Sequence, residues 1–113
     1  AIISGLSAVH QFVKIGAHVM IGGGAMVRKD VPPFITAAGE PLSYAGVNSV
    51  GLKRRNFSQE EINEIQTLYR TLYQSGMNVS QAVNRIKETY SKGPEADAIL
   101  NFIERSDRGL IRK

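Results

Sequence analysis

A stacked β-solenoid followed by a set of helices is the fold class that this sequence predicts, and two observations carry the prediction. Aliphatic residues recur at every sixth position in the first part of the chain, namely Ile3, Val9, Ile15, Ile21 and Val27. A period of six fits neither an α-helix nor a half-buried strand, and it is typical of a parallel solenoid with flat, stacked rungs. After Phe57 the apolar residues change to helical spacing, and capping residues stand at the matching places.

Each hexad is expected to point its first side chain inward, onto its counterpart in the next coil. The residues four places later are small or β-branched, as a tight corner requires, and they are Ser7, Val13, Val19, Ala25 and Val31. Gly16 and Gly22 suit places where the backbone turns or another backbone approaches closely. Five hexads make fewer than two triangular coils, whereas a repeat array needs roughly three or more units with capped ends. We therefore expect the chain to be a C-terminal piece of a longer repeat.

The pair Pro32-Pro33 is expected to end the repeat, because neither proline can donate a ladder hydrogen bond. Residues 34–38 are predicted as one last strand-like rung, residues 39–41 as a turn, and residues 42–55 as a short helix or connector. The predicted units are the last coils of a hexapeptide solenoid (1–38), a connector (39–56) and a three-helix C-terminal domain (57–113).

The first of the three helices carries the clearest signals. Ser58 and Glu61 form a capping box, Phe57 and Ile62 a hydrophobic staple, and Gly76 is a natural C-terminal stop. Its predicted buried stripe is Ile62, Ile65, Leu68, Tyr69 and Leu72.

The second helix is predicted to begin at Asn78, capped together with Gln81, and the third at Pro94 after Gly93. Their predicted buried residues are Val79, Ala82, Val83, Ile86 and Tyr90 in the second helix, and Ala98, Ile99, Phe102 and Ile103 in the third. We expect the three helices to pack on one another and to cover the last coil of the solenoid.

Composition narrows the possible functions. The formal net charge is +4, and it comes from the region before Phe57, where six basic residues face two acidic ones. Such an excess favours an anionic ligand or an acidic partner, although a solubilising surface gives the same composition.

The chain has no cysteine, which excludes disulfides and thiolate metal sites and is compatible with a cytoplasmic protein. No apolar run reaches the about 18 residues that a membrane span needs.

Several residues could carry chemistry. The run Gly22-Gly23-Gly24 lacks the spacing of a dinucleotide loop, so it is interpreted either as a groove wall or as plain corner geometry. His10, followed by Gln11, could act as a base or bind an anion, or could be structural, and His18 is a weaker candidate. Arg54-Arg55 suits a phosphate, because guanidinium groups bind phosphate oxygens bidentately; the alternative is a solvated basic turn. No spacing of His, Asp and Glu predicts a complete metal site.

Six short motifs, in order along nearly the whole chain, together resemble the C-terminal part of the UDP-N-acetylglucosamine O-acyltransferase family, which performs the first step of lipid A synthesis. The motifs are residues 8–12 (Ala-Val-His-Gln-Phe), 15–20 (Ile-Gly-Ala-His-Val-Met), 30–33 (Asp-Val-Pro-Pro), 46–48 (Gly-Val-Asn), 51–55 (Gly-Leu-Lys-Arg-Arg) and 108–112 (Arg-Gly-Leu-Ile-Arg). Hexads alone are shared by many acyltransferases, whereas the His-Gln-Phe and Gly-Leu-Lys-Arg-Arg motifs are much more specific.

The resemblance implies a left-handed parallel β-helix followed by a helical domain, in a homotrimer with active sites between subunits. It implies transfer of a 3-hydroxyacyl chain from acyl carrier protein to the 3-hydroxyl of UDP-N-acetylglucosamine, with no cofactor beyond the carrier's phosphopantetheine. The family's general-base histidine belongs to coils upstream of Ile2, so the resemblance assigns no catalytic residue to this chain. A protein of this kind would be cytoplasmic and would bind no nucleic acid.

Residue by residue, the resemblance implies an active-site cleft at His10 and Gln11 and an acyl groove along Met20 and Gly23. It implies nucleotide and phosphate contacts at Asn48 and Arg55, with Arg54 as a neighbouring cation. Two positions depart from the family pattern. Val50 stands where relatives often carry a carboxylate, and Pro41 stands where relatives can carry a histidine.

Two alternatives stay open from the sequence. The first is the sister N-acyltransferase of the same pathway, whose relatives do not normally combine these motifs with this helical tail. The second is a noncatalytic module for trimerisation and for docking of acyl carrier protein. Nucleic-acid binding is weaker than both, because the aromatic residues do not interleave with the basic ones.

Overall fold

Short parallel strands stacked in layers form the first part of the fold, and helices form the second. The computed structural model describes residues 2–3, 5, 8–9, 13–89, 93–106 and 109–112. The strands are β1 (Ile2–Ile3), β2 (Ala8–Val9), β3 (Met20–Ile21), β4 (Met26–Val27), β5 (Ile35–Ala38) and β6 (Ser43–Val47). The helices are α1 (Ser49–Arg54), α2 (Gln59–Gln74), α3 (Val79–Thr89) and α4 (Pro94–Arg105).

The strands of the repeat pair in parallel on three faces. On the first face Ile2 of β1 pairs with Met20 of β3, and on the second Ala8 of β2 pairs with Met26 of β4. An isolated parallel bridge between Ile15 and Val31 marks the third face. Partners on the first two faces stand three hexads apart along the chain, which is the spacing that three hexads per coil predicts.

The repeat shortens by two residues after Val27. Val31 pairs with Ile15, and Thr36 pairs with Met20. The partners in both pairs are 16 residues apart in sequence, whereas three full hexads separate partners by 18. The expectation that Val31 occupies a corner is therefore wrong. Its N–H donates to the Lys14 carbonyl at 2.9 Å and its carbonyl accepts from the Gly16 N–H at 2.8 Å, which holds Val31 in the ladder with a fully buried side chain.

Inward-facing residues of the repeat form one end of the hydrophobic core. Ile21 and Val27, both first in their hexads, are buried as predicted. Val19 and Ala25, predicted as corner residues, are buried as well. Ile3 and Val9, the first two of the series, are instead 43% and 42% exposed. The core continues without a break through β5 and into the helices.

Gly16 lies where two turns of the backbone nearly touch. A Cβ atom on Gly16 would sit 2.5 Å from the Pro33 nitrogen and 2.6 Å from its Cα. A Cβ on Gly22, which holds the same place in its own hexad, would meet only ordinary contacts, at 3.4 Å from the Ala38 Cβ and 3.7 Å from the Ala37 carbonyl oxygen. The predicted approach of another backbone is thus tight at Gly16 and looser at Gly22, whose N–H donates to the Ala37 carbonyl at 2.9 Å.

The last rung and the turn after it are confirmed, since β5 covers Ile35–Ala38 and Gly39 has a φ of +91°. The segment predicted as a short helix or connector holds more structure than that. It contains β6, which pairs antiparallel with β5 and extends the sheet to the order β1-β3-β5-β6, and then α1. The antiparallel strand turns the chain back along the last coil, so α1 begins beside the repeat.

The chain's end returns to the repeat and is held there by Asp30. This carboxylate is fully buried, and it accepts from the Lys14 N–H at 2.7 Å and from the Ser106 hydroxyl at 2.6 Å. The Asp30 backbone donates to the Gly109 carbonyl and accepts from the Ile111 N–H. A further bridge joins Arg112 to Ser43 at the start of β6. Residues 109–112 are called the tail below.

Helix α2 forms as its sequence predicts. Ser58 and Glu61 make the reciprocal capping box, and Gly76 follows the helix with a φ of +79°. All five predicted stripe residues are buried, and the Tyr69 hydroxyl donates to the Pro33 carbonyl at 2.5 Å, which ties α2 to the end of the repeat. Tyr44 of β6 stacks on Tyr69 and Tyr73, whose hydroxyl donates to the Ile111 carbonyl at 2.9 Å.

The two remaining helices agree with the sequence at their starts and less well in their buried faces. Asn78 and Gln81 cap α3 through reciprocal bonds, and Gly93 and Pro94 open α4. Val79, predicted as buried, is 45% exposed because it lies in the first turn of α3, beyond the packing against α2. In α4 only Ile99 of the predicted set is fully buried, with Ala98, Phe102 and Ile103 half-buried. Tyr90 lies outside the described residues.

Within the described part of the chain, no helix combines the length and the apolar character that crossing a bilayer requires.

We predict that Gly16→Ala destabilises the protein by about 1–3 kcal/mol, because the new methyl group would collide with backbone atoms of Pro33 that cannot move without disturbing the ladder. Urea unfolding followed by circular dichroism measures the change. Gly22→Ala is the matched control, since the same substitution there meets an ordinary contact. Equal stability of the two variants would contradict this packing argument.

Candidate functional site

The structure distributes the predicted site residues over two regions. Met20 is half-buried in β3, and Gly23 is exposed in the turn that follows, where Gly24 has a φ of +73°. That left-handed φ shows that corner geometry accounts for part of the glycine run. His10 and Gln11 lie outside the described residues. The other three residues, Asn48, Arg54 and Arg55, gather on α1.

Helix α1 is short, and Asn48 begins it. The Asn48 side-chain oxygen accepts from the Gly51 N–H at 3.2 Å, a typical N-cap contact. A Cβ on Gly51 would lie 2.5 Å from the Asn48 side-chain nitrogen, so only glycine leaves room for this cap. No acidic residue stands in the first turn, and the last turn carries Lys53 and Arg54. The helix therefore presents positive charge at its end.

Asn48 also joins α1 to the repeat. Its side-chain nitrogen donates to the His18 carbonyl at 3.0 Å, and its backbone N–H donates to the Phe34 carbonyl at 2.8 Å. An asparagine amide offers two N–H groups and two lone pairs, so one of each remains for a ligand. The predicted nucleotide contact at Asn48 stays a prediction, and it is compatible with these internal bonds.

Three rings form a cluster beside α1. The His18 ring stacks on Phe34 with 5.9 Å between centroids and meets Phe57 edge-on at 5.2 Å. His18 and Phe34 have φ values of +59° and +73°, a left-handed conformation that bulky residues rarely adopt. They occupy successive corners of the repeat, since the Phe34 N–H donates to the carbonyl of Ala17 beside His18. Both side chains contact Phe57, which follows α1 in the chain.

The electrostatics of this region are positive. Burial lowers the pKa of His18, and the positive charge of Arg55 lowers it further. The side chains of Lys53, Arg54 and Arg55 are exposed, and none of them takes part in an ion pair with another described residue. Cations without carboxylate partners, beside an imidazole whose pKa is lowered, favour the binding of an anion.

A second positive region lies beside the tail. It surrounds a cavity of about 380 Å³ with an apolar floor and a rim that includes three cations. The lining residues are Met26, Arg28, Lys29, Glu40, Pro41, Leu42, Ser43, Ile111 and Arg112. Pro41, which follows a cis peptide bond, therefore belongs to this cavity, whereas the exposed Val50 projects from α1.

Two features of the site were not predicted from the sequence. His18 looked like a weak candidate because nothing local links it to Asn48 and Arg55, which stand thirty and more positions later in the chain. The cavity cations were visible only as part of the net charge, since the tail brings Arg112 to Lys29 from the far end of the sequence. Among the described residues, no group of three His, Asp or Glu side chains could hold a metal ion.

Comparison with known families gives one match to a family model over most of the chain. Residues 30–111 match the second domain of UDP-N-acetylglucosamine O-acyltransferase.

Relatives and solved structures agree with that match. An acyl-[acyl-carrier-protein]–UDP-N-acetylglucosamine O-acyltransferase of Burkholderia orbicola is 43% identical over 99% of this chain, and one of Myxococcus xanthus is 43% identical over 98%. The crystal structure of LpxA, a UDP-N-acetylglucosamine acyltransferase from Bacteroides fragilis, superimposes with a TM-score of 0.94 at 45% identity over 97% of this chain. The chain spans 44% of the Burkholderia protein and 43% of the other two.

We predict that Asn48→Ala lowers stability by about 1–2 kcal/mol, because it removes both the cap of α1 and the bond to the His18 carbonyl. Asn48→Ser keeps an N-cap acceptor but cannot reach His18, so it should lose about half as much. Urea unfolding of the two variants separates the contributions. If both variants matched the unchanged protein, the Asn48 side chain would not help to join α1 to the repeat.

Proposed function

This chain belongs to the UDP-N-acetylglucosamine O-acyltransferase family, and from that membership we propose the function of the protein that carries it. It moves a 3-hydroxyacyl chain from acyl carrier protein to the 3-hydroxyl of UDP-N-acetylglucosamine, the first step of lipid A synthesis. The sugar oxygen attacks the thioester carbonyl, the new ester bond forms, and the carrier's thiol leaves. The reaction needs no cofactor beyond the phosphopantetheine that carries the acyl group.

One observation carries this proposal: α1 presents Asn48, Arg54 and Arg55 together with no acidic residue in its first turn. Guanidinium groups bind phosphate oxygens in a planar fork, and an asparagine amide with a free donor and acceptor suits the edge of a base. We assign Arg55 to the pyrophosphate, Arg54 to the surrounding positive field and Asn48 to the uracil.

The remaining parts of the reaction are assigned from the family resemblance. His10 and Gln11 line the cleft near the sugar and the pantetheine, and Met20 and Gly23 line the acyl groove. Half-burial of Met20 and exposure of Gly23 suit residues that border a groove. The general base, a histidine that removes the hydroxyl proton, belongs to coils outside these 113 residues, so we assign no catalytic residue here.

The assembly is also part of the proposal. We propose that the stacked coils wind as a left-handed parallel β-helix, that residues 1–38, 39–56 and 57–113 act as coils, connector and helical domain, and that three copies form a cytoplasmic trimer with active sites between subunits. The parallel pairings on three faces support the winding into coils.

Acyl carrier protein is the proposed protein partner. The cavity cations Arg28, Lys29 and Arg112 make no ion pair with any described residue, so they are available to an acidic partner. The same observation favours a second candidate function, in which this region is a docking and trimerisation module only. Nucleic acid is a poor partner, because Tyr44, Tyr69 and Tyr73 stack inside the protein and offer no platform for bases.

Acceptor specificity tests the proposal. The protein should transfer a 3-hydroxyacyl group from acyl carrier protein to UDP-N-acetylglucosamine, and should not acylate the free amine of a UDP-3-acyl-glucosamine. The opposite preference would assign the protein to the sister N-acyltransferases. Binding of acyl carrier protein without any binding of UDP-sugar would favour the docking module.

We predict that Arg55→Gln raises KM for UDP-N-acetylglucosamine about 10- to 100-fold, the cost of one charged hydrogen bond to phosphate, with little change in kcat. The phosphate is remote from the reacting hydroxyl, so the lost contact weakens the ground state and the transition state alike. Steady-state kinetics with the acyl carrier saturated measure both constants.

Lys53→Gln is the matched control for Arg55→Gln, because it removes an exposed cation from the same helix. It should raise KM by less than about threefold, the size of a screened surface interaction. If the two variants behaved alike, general positive charge and not a direct contact would explain the role of Arg55.

A further inference from the structure

Two hydrogen bonds from later parts of the chain hold the turn that carries His18. Its carbonyl accepts from the Asn48 side chain at 3.0 Å, and the carbonyl of the preceding Ala17 accepts from the Phe34 N–H at 2.9 Å. Both bonds come from the next coil and its continuation into α1. They fix a histidine at a φ of +59°, where asparagine or glycine would carry less strain. Strain of this kind is concentrated at functional sites.

The ring itself is held in one orientation. Phe34 covers one face in a nearly parallel stack, with 13° between the planes, and Phe57 packs against it edge-on. Phe57 stands two residues after Arg55, so the end of α1 lies next to the imidazole. His18 is nevertheless only half-buried, so part of the ring is open to solvent. A ligand at Arg55 could reach it.

The charge that acts on the ring is positive. It is the Arg55 guanidinium, which acts in the same direction as burial, and burial lowers the pKa of His18 most. No carboxylate acts on His18 from the described parts of α1, of the Phe34 corner or of the Phe57 segment. The imidazole is therefore neutral at neutral pH while the site is empty.

We propose that His18 is a further specificity-determining residue of the nucleotide site: when a pyrophosphate binds beside Arg55, the imidazole takes up a proton from solvent and donates an N–H to a phosphate oxygen. The inference rests on the proposed function, since it needs a nucleotide diphosphate sugar as the ligand of α1. The proton returns to solvent when the ligand leaves, so nothing else is consumed.

The thermodynamic consequence follows from linkage between proton binding and ligand binding. A dianion next to the ring favours the charged imidazole, so the pKa of His18 is higher in the complex than in the free protein. Binding is therefore tightest at a pH below both pKa values and weakens as the pH rises through the pKa of the complex. One unit of difference between the two pKa values corresponds to about a tenfold change in affinity.

Isothermal titration calorimetry with UDP-N-acetylglucosamine tests the proposal on the protein at its native length. The ligand is a pyrophosphate diester that does not titrate near neutral pH, so proton exchange reports on the protein. At pH 6.5, repeating the titration in buffers of different ionisation enthalpy gives the number of protons taken up. We expect a net uptake of a fraction of a proton and an affinity that increases about tenfold from pH 7.5 to pH 5.5.

Two variants distinguish the effect of protonating His18 from the effect of its shape and packing. His18→Asn keeps a residue that tolerates the left-handed turn, and His18→Phe keeps an aromatic ring on Phe34; neither can be protonated. Both should lose the part of the proton uptake that depends on His18 and should bind about 3- to 10-fold more weakly at pH 6 while matching the unchanged protein at pH 8. Urea unfolding checks that at least one of the two retains its fold.

The outcomes distinguish the inference from its premise. Binding by the unchanged protein without proton uptake, or uptake that persists undiminished in a folded variant, would overturn the assignment of His18 and leave the proposed function intact. If the unchanged protein bound no UDP-N-acetylglucosamine at any pH, the proposed function would be overturned, and the assignment of His18 with it.

Discussion

The buried carboxylate of Asp30 accepts hydrogen bonds from the Lys14 amide and the Ser106 hydroxyl, while its backbone pairs with the tail. A carboxylate without such partners would cost several kcal/mol to bury. The bonds are available only if the coil before it, the end of α4 and the tail all reach the same point. One residue therefore couples Lys14 to Ile111, which are 97 positions apart in sequence.

That coupling extends to the site through a continuous series of contacts. The tail pairs with the start of β6, where the Tyr44 N–H donates to the Arg112 carbonyl at 2.7 Å. Strand β6 then leads directly into Asn48, which caps α1 and holds the corner at His18. The positions of the α1 cations thus depend on how the chain's end closes against the repeat.

Local signals in the sequence predicted local structure well. The hexad spacing predicted the inward positions of Ile21 and Val27, and the capping box predicted where α2 begins, because each pattern contains its own physical cause. The two-residue shortening before Val31 and the antiparallel strand β6 were not predicted, since both depend on pairing partners that are remote in sequence.

The candidate site likewise has a part that the sequence predicts and a part that only the fold shows. Arginines that suit phosphate are visible in the motif at residues 51–55, but the approach of His18 to Arg55 exists only after the coils stack and β6 has turned the chain back.

The distribution of charge supports the proposed binding of an anion to this fold. In α2, α3 and α4 the acidic residues are interspersed with the basic ones, whereas the cations of α1 and of the cavity beside the tail have no carboxylate partners among the described residues. Unneutralised like charges held close together raise the free energy of the folded state. An anion that binds there relieves this repulsion and binds only the folded chain, so ligand affinity and fold stability are linked.

Because Asn48 serves the cap, the repeat and the predicted base contact at once, any substitution there changes the stability of α1 together with ligand affinity. Arg55 differs in this respect: its side chain makes no hydrogen bond or ion pair with a described residue, so a substitution there is expected to change ligand affinity with little effect on stability.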